Sequence, residues 1–492
     1  MKNKVFSSFD DAVADIPDGA SIFMECWGFA GTAQNLIAAL RRRGTRNLTI
    51  VTHNFVPLPI GNEDEIIMPP VLLPQMGKLV SSVVGFQQLG AGAFVKEYVE
   101  AGLEVELTTH GTLVSRIYAG AMGLGGFYNP VGVGTVLSEN KEKRAIKGKD
   151  YLLEEPIRTD YAFVRAHRAD RFGNLVYQGV HRTDQPLMAM AAAATIAEVD
   201  EIVEPGEIDP EHVVTPGVFV DRIVQIPQDG LGTDRKQKEL IARLGDIELA
   251  RKMVFRPQAC DDSQEAVPTH GGKRCLDRDT IAMRAAKELR DGDCVNLGIG
   301  IPNLCALYMP EGVTFMSENG VLGYGPLLME DEIDKAAFHH VDAGGRFWRP
   351  APGMAFLDLL NSFGMIRSGR LISILGALQV SERGDLANWN TGSDPLGGTI
   401  GGGMDLAAGA KRLIATMEHT TRDGKPKILR ECTCPLTGMQ CVDLIVTDVA
   451  VIEVTEEGLL LTEVAPGWTA DDVQSITGPR LTVSPGLKEI EL

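Results

Sequence analysis

The run from Met316 to Pro326, MSENGVLGYGP, sets a carboxylate, Glu318, and an amide, Asn319, between a strand-like VTFM and three glycines. A carboxylate on a Gly-rich turn is held by backbone and open to substrate, where it can attack an acyl carbon. Ser, Glu and Asn also favour ordinary turns and caps, so spacing alone leaves both readings open. A second run, Gly401-Gly402-Gly403 within TIGGGMD, offers backbone N–H groups that no Cβ shields, as an oxyanion hole needs. It equally suits a tight turn ahead of a helix beginning near Leu406. Cys432 and Cys434 form C-x-C with Cys441 close by, but no His or Cys pair at zinc-finger spacing accompanies them, and no metal site is expected.

The elements around these runs alternate. SIFMECWGFAG, QNLIAALRRRG and NLTIVTHNF read as strand, helix and strand, the order of βαβ units on a parallel sheet, and Gly44 is a helix stop. Between Arg256 and Arg274, Pro257, Pro268, Gly271 and Gly272 fall among polar residues with no period, which reads as a linker. The expected division is residues 1–255, a linker at 256–274, and residues 275–492. The second unit repeats features of the first. Asp291-Gly292 leads a strand into NLGIGIPNL as Asp18-Gly19 leads one into WGFAG, and VSERGDLANW from Val380 matches ADRFGNLVYQG from Ala169. Two related α/β units meeting face to face would place a cleft at their interface.

Composition narrows the partners. A chain of 492 residues has room for about two to four domains, and its 44% hydrophobic and 23% charged residues are globular values. The formal charge of −19 opposes nucleic acid but not a small anion held locally. The apolar stretch Leu187 to Ala197 is shorter than the roughly 20 residues that span a bilayer, and its alanines suggest a buried helix. No membrane partner is expected. MKNKVFSSFDDAV lacks a secretory apolar run, and the eight scattered cysteines suggest buried thiols in a cytoplasmic protein.

Taken together, these motifs resemble the family I CoA-transferases, the fused 3-oxoacid and paired 3-oxoadipate types in particular. In the second unit VNLGIGIPNL, SENGVLGYGP, LGALQVSERGDLANW, GGGMDLAAGAKR, MEHTTRDGKPKIL, CPLTG and EVAPGWTADDVQ follow the family's order; in the first, VELTTHGTLVSRIYAGAMGLGGFYNPVGVGT and YAFVRAHRADRFGNLVYQG do so. The resemblance implies two homologous open α/β domains of the CoA-transferase (NagB/RpiA-like) type with the active site between them. It implies Glu318 as nucleophile, with Gly401, Gly402, Gly403 and Asn319 contacting the oxyanion or CoA. Coenzyme A would be a substrate and a covalent glutamyl-CoA intermediate, with no permanent cofactor and no ATP, in keeping with the absence of a P-loop motif. Acyl-CoA and a carboxylic acid, such as a 3-oxo acid, would be the partners of a homodimer or dimer of dimers.

The first unit departs from that pattern. ECWGFAG puts Glu25 and Cys26 where the family has glycines, His110 replaces a Gln, and His53 stands beside Asn54 where an Asn would contact CoA. Ala355 replaces a hydroxyl residue. Glu25, His53, Asn54 and His110 are therefore expected to bear on acid recognition, with His110 donating a hydrogen bond to a carboxylate, and doing so with charge where it is an imidazolium. An acyl-CoA hydrolase, in which His53, His110 or Glu25 activates water against the same glutamyl intermediate, is the rival enzyme reading. A CoA-binding relative without turnover is the non-enzymatic one.

Overall fold

A computed structural model describes residues 2–25, 27, 31–56, 67–85, 93–246, 269–392, 396 and 398–492. Two sheets organise them. The first uses β1 (Ser21–Met24), β2 (Leu48–Phe55), β3 (Met76–Val84), β4 (Glu104–Leu107), β5 (Thr159–Asp170), β6 (Ala192–Val203) and β7 (Arg222–Gln225). All pairs are parallel, in the order β7-β6-β5-β1-β2-β3-β4. Strands covered on both faces must be apolar along their whole length, and β1, SIFM, buries Ile22, Phe23 and Met24.

The second sheet builds on β8 (Cys294–Leu297), β9 (Thr314–Ser317), β10 (Leu371–Gly376), β11 (Arg412–Met417) and β12 (Leu444–Thr447), parallel in the order β9-β8-β10-β11-β12. It then turns antiparallel through β13 (Ala450–Thr455) and β14 (Gly458–Val464), and β15 (Leu481–Glu489) closes the edge. The repeats noted in the sequence are structural. Gly19 and Gly292, with φ of 81° and 84°, precede β1 and β8, and the turns at Gly173 and Gly384 are each wrapped by a side chain, Asp170 or Ser381, that accepts backbone N–H groups.

Five helices matter for the site: α1 (Gln34–Arg43), α2 (His110–Ala121), α3 (Gln185–Ala191), α4 (Leu359–Ile366) and α5 (Gly403–Gly409). Gly44 stops α1 in the left-handed region, as expected. Three expectations need correction. Leu187 to Ala197 is not one helix: α3 ends at Ala191, and residues from Ala192 pair with β5 over their whole length, because long parallel pairing outweighs alanine's helix preference. The helix expected near Leu406 starts at Gly403. Of the expected linker, 256–268 lies outside the described residues, while Thr269–His270 and Lys273–Arg274 form a two-stranded hairpin across Gly271 and Gly272.

The halves lock together at α2. Gly111 N–H donates to Asp405 Oδ2 at 3.0 Å, and a Cβ on Gly111 would lie 2.3 Å from Asp405 Oδ1 and 2.6 Å from Phe363, so only glycine permits this approach. Arg367 pairs with Asp405 at 2.5 Å and reaches Ser115 Oγ at 3.0 Å. Thr183 O accepts from Leu359 N at 3.0 Å, and Val83 bridges Thr399.

Candidate active site

Glu318 stands on the turn that follows β9. Gly320 makes the turn possible: its φ is +96°, and a Cβ there would sit 2.2 Å from Leu357 O. Gly320 N–H closes onto Ser317 O at 3.0 Å, Leu357 N–H onto Gly320 O at 2.8 Å, and Ser362 Oγ donates to Glu318 O at 2.7 Å. The backbone is thus fixed on three sides while the carboxylate faces a cavity of about 490 Å³. Gly298 and Ile299 of the NLGIGIP loop, Asn388, Gly401 and Gly402 share its wall. Asn296 Nδ2 donates to Met316 O at 3.0 Å, so that loop also braces the Glu318 turn.

Gly402 touches the carboxylate. A Cβ at Gly402 would fall 1.9 Å from Glu318 Oε2, yet the glycine's φ of −94° is open to any residue, so space and not conformation demands glycine. Gly401 N–H is engaged with Ser82 O at 3.1 Å and Gly403 N–H with Ile400 O at 3.3 Å. Only Gly402's N–H of the three makes no hydrogen bond among the described residues. Burial, and secondarily the charge of Asp405, pushes the Glu318 carboxyl up to about 8.

Behind the loop lies a second, buried group from the first half. His110 N–H donates to Gly401 O at 2.9 Å, and its Nε2 lies 3.6 Å from where a Gly401 Cβ would be. His110 Nδ1 meets Ser82 Oγ at 2.5 Å and His53 Nδ1 at 3.0 Å, while His53 Nε2 meets Asp184 Oδ2 at 2.9 Å. Trp27 covers His110 with ring centroids 4.3 Å apart. Burial, then the neighbouring His53, holds His110 well below the usual histidine range, which favours the neutral ring over the charged form. Burial raises Asp184, but the His53 charge and hydrogen bonds from Glu25 and His53 outweigh it and leave the carboxyl below its ordinary value.

The structure therefore separates the residues singled out by sequence. Glu318, Gly401, Gly402 and Gly403 line one cavity wall, with His110 directly behind. Glu25 and His53 are 1% and 0% exposed, His53 in contact with His110 and Glu25 with Asp184. Asn54 is buried on β2, opposite Val83 of β3. Asn319 turns inward, its Nδ2 donating to Val341 O at 2.8 Å, and is absent from the cavity wall. Ser82, Asp184, Asn388 and Asp405 were missed. Asp405 sits two residues past the glycine loop and could have been suspected; Asp184 carries no local spacing signal.

Glu, Asp and His also cluster as Glu25, His53 and Asp184, whose ligand atoms lie within 4.8 Å of one another. Their mutual hydrogen bonds already account for this arrangement.

A buried carboxylate set against a glycine loop beside a cavity is an arrangement that acyl-group chemistry could use, and comparison with known proteins gives the class. The Coenzyme A transferase family model matches residues 6–225 and 278–475, and the chain belongs to that family. It is 37% identical over 504 residues to mouse (Mus musculus) mitochondrial succinyl-CoA:3-ketoacid coenzyme A transferase 2A, covering 98% of this chain and 90% of the relative. It is 44% identical over 205 residues to one of the 3-oxoadipate CoA-transferase subunits of Pseudomonas putida, covering 41% of this chain and 95% of that relative. The crystal structure of an acyl-CoA transferase from Escherichia coli O157:H7, a thioester complex with CoA, superposes with a TM-score of 0.73 at 20% identity, covering 100% of this chain and 95% of the other. The protein is a CoA-transferase, with the two-domain α/β fold of that family.

Proposed function

We propose that the protein moves CoA from an acyl-CoA to a carboxylic acid by a ping-pong route through Glu318. The ionised carboxylate attacks the thioester carbonyl; a C–O bond forms, the C–S bond breaks, and CoA leaves as thiolate. The thiolate then attacks the Glu318 carbonyl of the anhydride, expelling the first acid and leaving a glutamyl-CoA thioester. An acceptor acid repeats both steps in reverse. One activated acyl bond replaces another throughout, so no proton or phosphate is consumed. Gly402 N–H is the oxyanion donor this reading favours, with Gly401 and Gly403 holding the loop.

The observation that carries the reading is the Glu318 carboxylate pressed against Gly402 at the cavity wall. Acyl-CoA treatment without acceptor should add the mass of CoA to the peptide bearing Glu318, and Glu318→Ala should lose exchange between acids. Full exchange in that variant overturns the proposal. Thiol release that is fast without acceptor and unchanged by added acids would instead identify a hydrolase.

The relatives' names suggest succinyl-CoA, with acetyl-CoA as the second donor to try, and a 3-oxo acid, 3-oxoadipate included, as the first acceptor. Two separate sheets support the proposed units 1–255 and 275–492. Cytoplasmic placement draws support from the unpaired buried thiols of Cys275 and Cys305, whereas the mouse relative's name places that protein in mitochondria. A homodimer or dimer of dimers is proposed from the family resemblance. Among the described residues no helix is long and apolar enough to cross a membrane.

A further inference from the structure

Two runs that the transfer steps leave unused, DLANW and CPLTG, meet at the cavity wall. Thr437 N–H donates to Leu386 O at 2.7 Å, Leu386 N–H to Gly438 O at 2.9 Å and Trp389 Nε1 to Leu436 O at 3.1 Å, which fastens the segment bearing Asn388 to the one bearing Thr437. Thr437 Oγ1 then fixes the amide itself. It accepts from Asn388 N–H at 3.0 Å and lies 2.6 Å from Asn388 Oδ1, a separation usual for O–H···O and short for N–H···O. Turning the amide over would also leave the hydroxyl hydrogen of Thr437, a residue 2% exposed, with no acceptor among the described residues. Oδ1 is therefore the end held by Thr437. Nδ2 makes no hydrogen bond to a described residue, and Asn388 lines the cavity that Glu318 faces. Asn296 and Thr399 of the same cavity instead give their donors to Met316 O and Gly85 O. The Asn388 amide flanks Gly403, where a Cβ would lie 3.6 Å from Oδ1 and 4.0 Å from Nδ2, and the neighbouring Gly402 is the glycine that touches Glu318.

We propose that Asn388 Nδ2 donates a hydrogen bond to the 3-oxo oxygen of the acid substrate, and so favours 3-oxo acids over plain acids of the same skeleton. This rests on the Glu318 transfer reading and deepens it by naming a group that reads the acid. An amide whose oxygen is tied to Thr437 offers uncharged N–H alone, which suits a neutral carbonyl oxygen, whereas a second carboxylate is better met by a cation. The one described cation on the cavity wall, Arg278, is already paired with Glu418 at 2.8 Å. Of the carbonyls that the substrates bring, the 3-oxo group is closer to the reacting carbon than the first amide of the pantetheine arm, and Asn388 flanks the loop against which Glu318 rests. A plain acid puts a methylene there and leaves Nδ2 without an acceptor. Asn388 is the group proposed to touch substrate, and Thr437 is a positioning residue.

The test compares acetoacetate and butyrate as acceptors of CoA from succinyl-CoA. The wild-type protein should favour acetoacetate in kcat/KM by about tenfold, the effect of pairing one otherwise unsatisfied donor. Asn388→Ala should bring that ratio to within about twofold by lowering the acetoacetate value alone. Thr437→Val frees the amide to turn and should shrink the ratio in the same sense, whereas Thr437→Ser keeps the hydroxyl and should keep the ratio. A merely structural role for Thr437 would move both acids together. Urea unfolding shows whether Asn388→Ala folds, and if it does not, the Val and Ser variants of Thr437 decide the matter. A wild-type ratio near one overturns the proposal. So does a ratio unchanged in Asn388→Ala and Thr437→Val, or an equal loss for both acids, which would put Asn388 against CoA or in support of the loop. Absence of transfer to every acid by the wild-type protein would sink the Glu318 reading instead, so the two failures are distinguishable.

Discussion

Replacing Gly402 with alanine isolates the contact on which the proposed chemistry depends. Its φ and ψ of −94° and 2° suit alanine, so the backbone has no reason to move. The new methyl would lie 1.9 Å from Glu318 Oε2, and carbon–oxygen contact needs about 3.2 Å, so the carboxylate must retreat by roughly 1.3 Å. Displacement of about 1 Å at a reacting group lowers rate by on the order of 100-fold. The carboxylate is the free end of a side chain and can swing away, so stability should fall by no more than about 1–2 kcal/mol. CoA exchange between a labelled acid and its acyl-CoA reads the first effect, and urea unfolding the second. The expected result is a kcat reduced on the order of 100-fold in a protein with a near-normal unfolding midpoint. Exchange within threefold of wild type would refute the claim that Gly402 sets where the Glu318 carboxylate must sit for the proposed attack.

The remaining predictions concern charge and the seam between halves. Glu318 ionises at about 8, so log kcat/KM should climb with unit slope as pH rises and level off above that value. Asp405→Asn should move that limb downward but leave it above the ordinary carboxylate range, because burial is the larger cause. A carboxyl raised to about 8 in the folded state and ordinary when unfolded stabilises below pH 4.5, and that contribution is lost as pH rises to 8. Glu318→Gln should therefore flatten stability over that window and, after discounting for solvent at a partly exposed group, gain about 1–2 kcal/mol at pH 8 by urea unfolding. Gly111→Ala drives a methyl to 2.3 Å from Asp405 and should destabilise by about 2 kcal/mol or more, with activity falling alongside.

Local grammar carried much of the architecture. Asp-Gly before a strand, glycine after three arginines, and the two Gly-containing turns at 173 and 384 each constrain backbone within a few residues, and each was legible. Ala192 to Ala197 was not, because whether alanines join a helix or a strand depends on β5, some 30 residues away in sequence. The site divides the same way. Glu318 and its glycines lie on contiguous motifs, whereas the burial of His110 against His53, Ser82 and Trp27 arises only after folding. Its charge state was open at the sequence level for that reason: a histidine's burial is a property of the fold, not of THGT.

One consequence of the seam remains. The loop beside Glu318 is stitched to the other half by His110 N–H to Gly401 O, Gly401 N–H to Ser82 O and the Val83–Thr399 bridge. Neither half alone can hold that loop in register. Carrying both on one polypeptide replaces an encounter between separate chains with an intramolecular closure at a high effective concentration, so turnover per chain should resist dilution. A version expressed as two separate pieces would slow as the mixture is thinned.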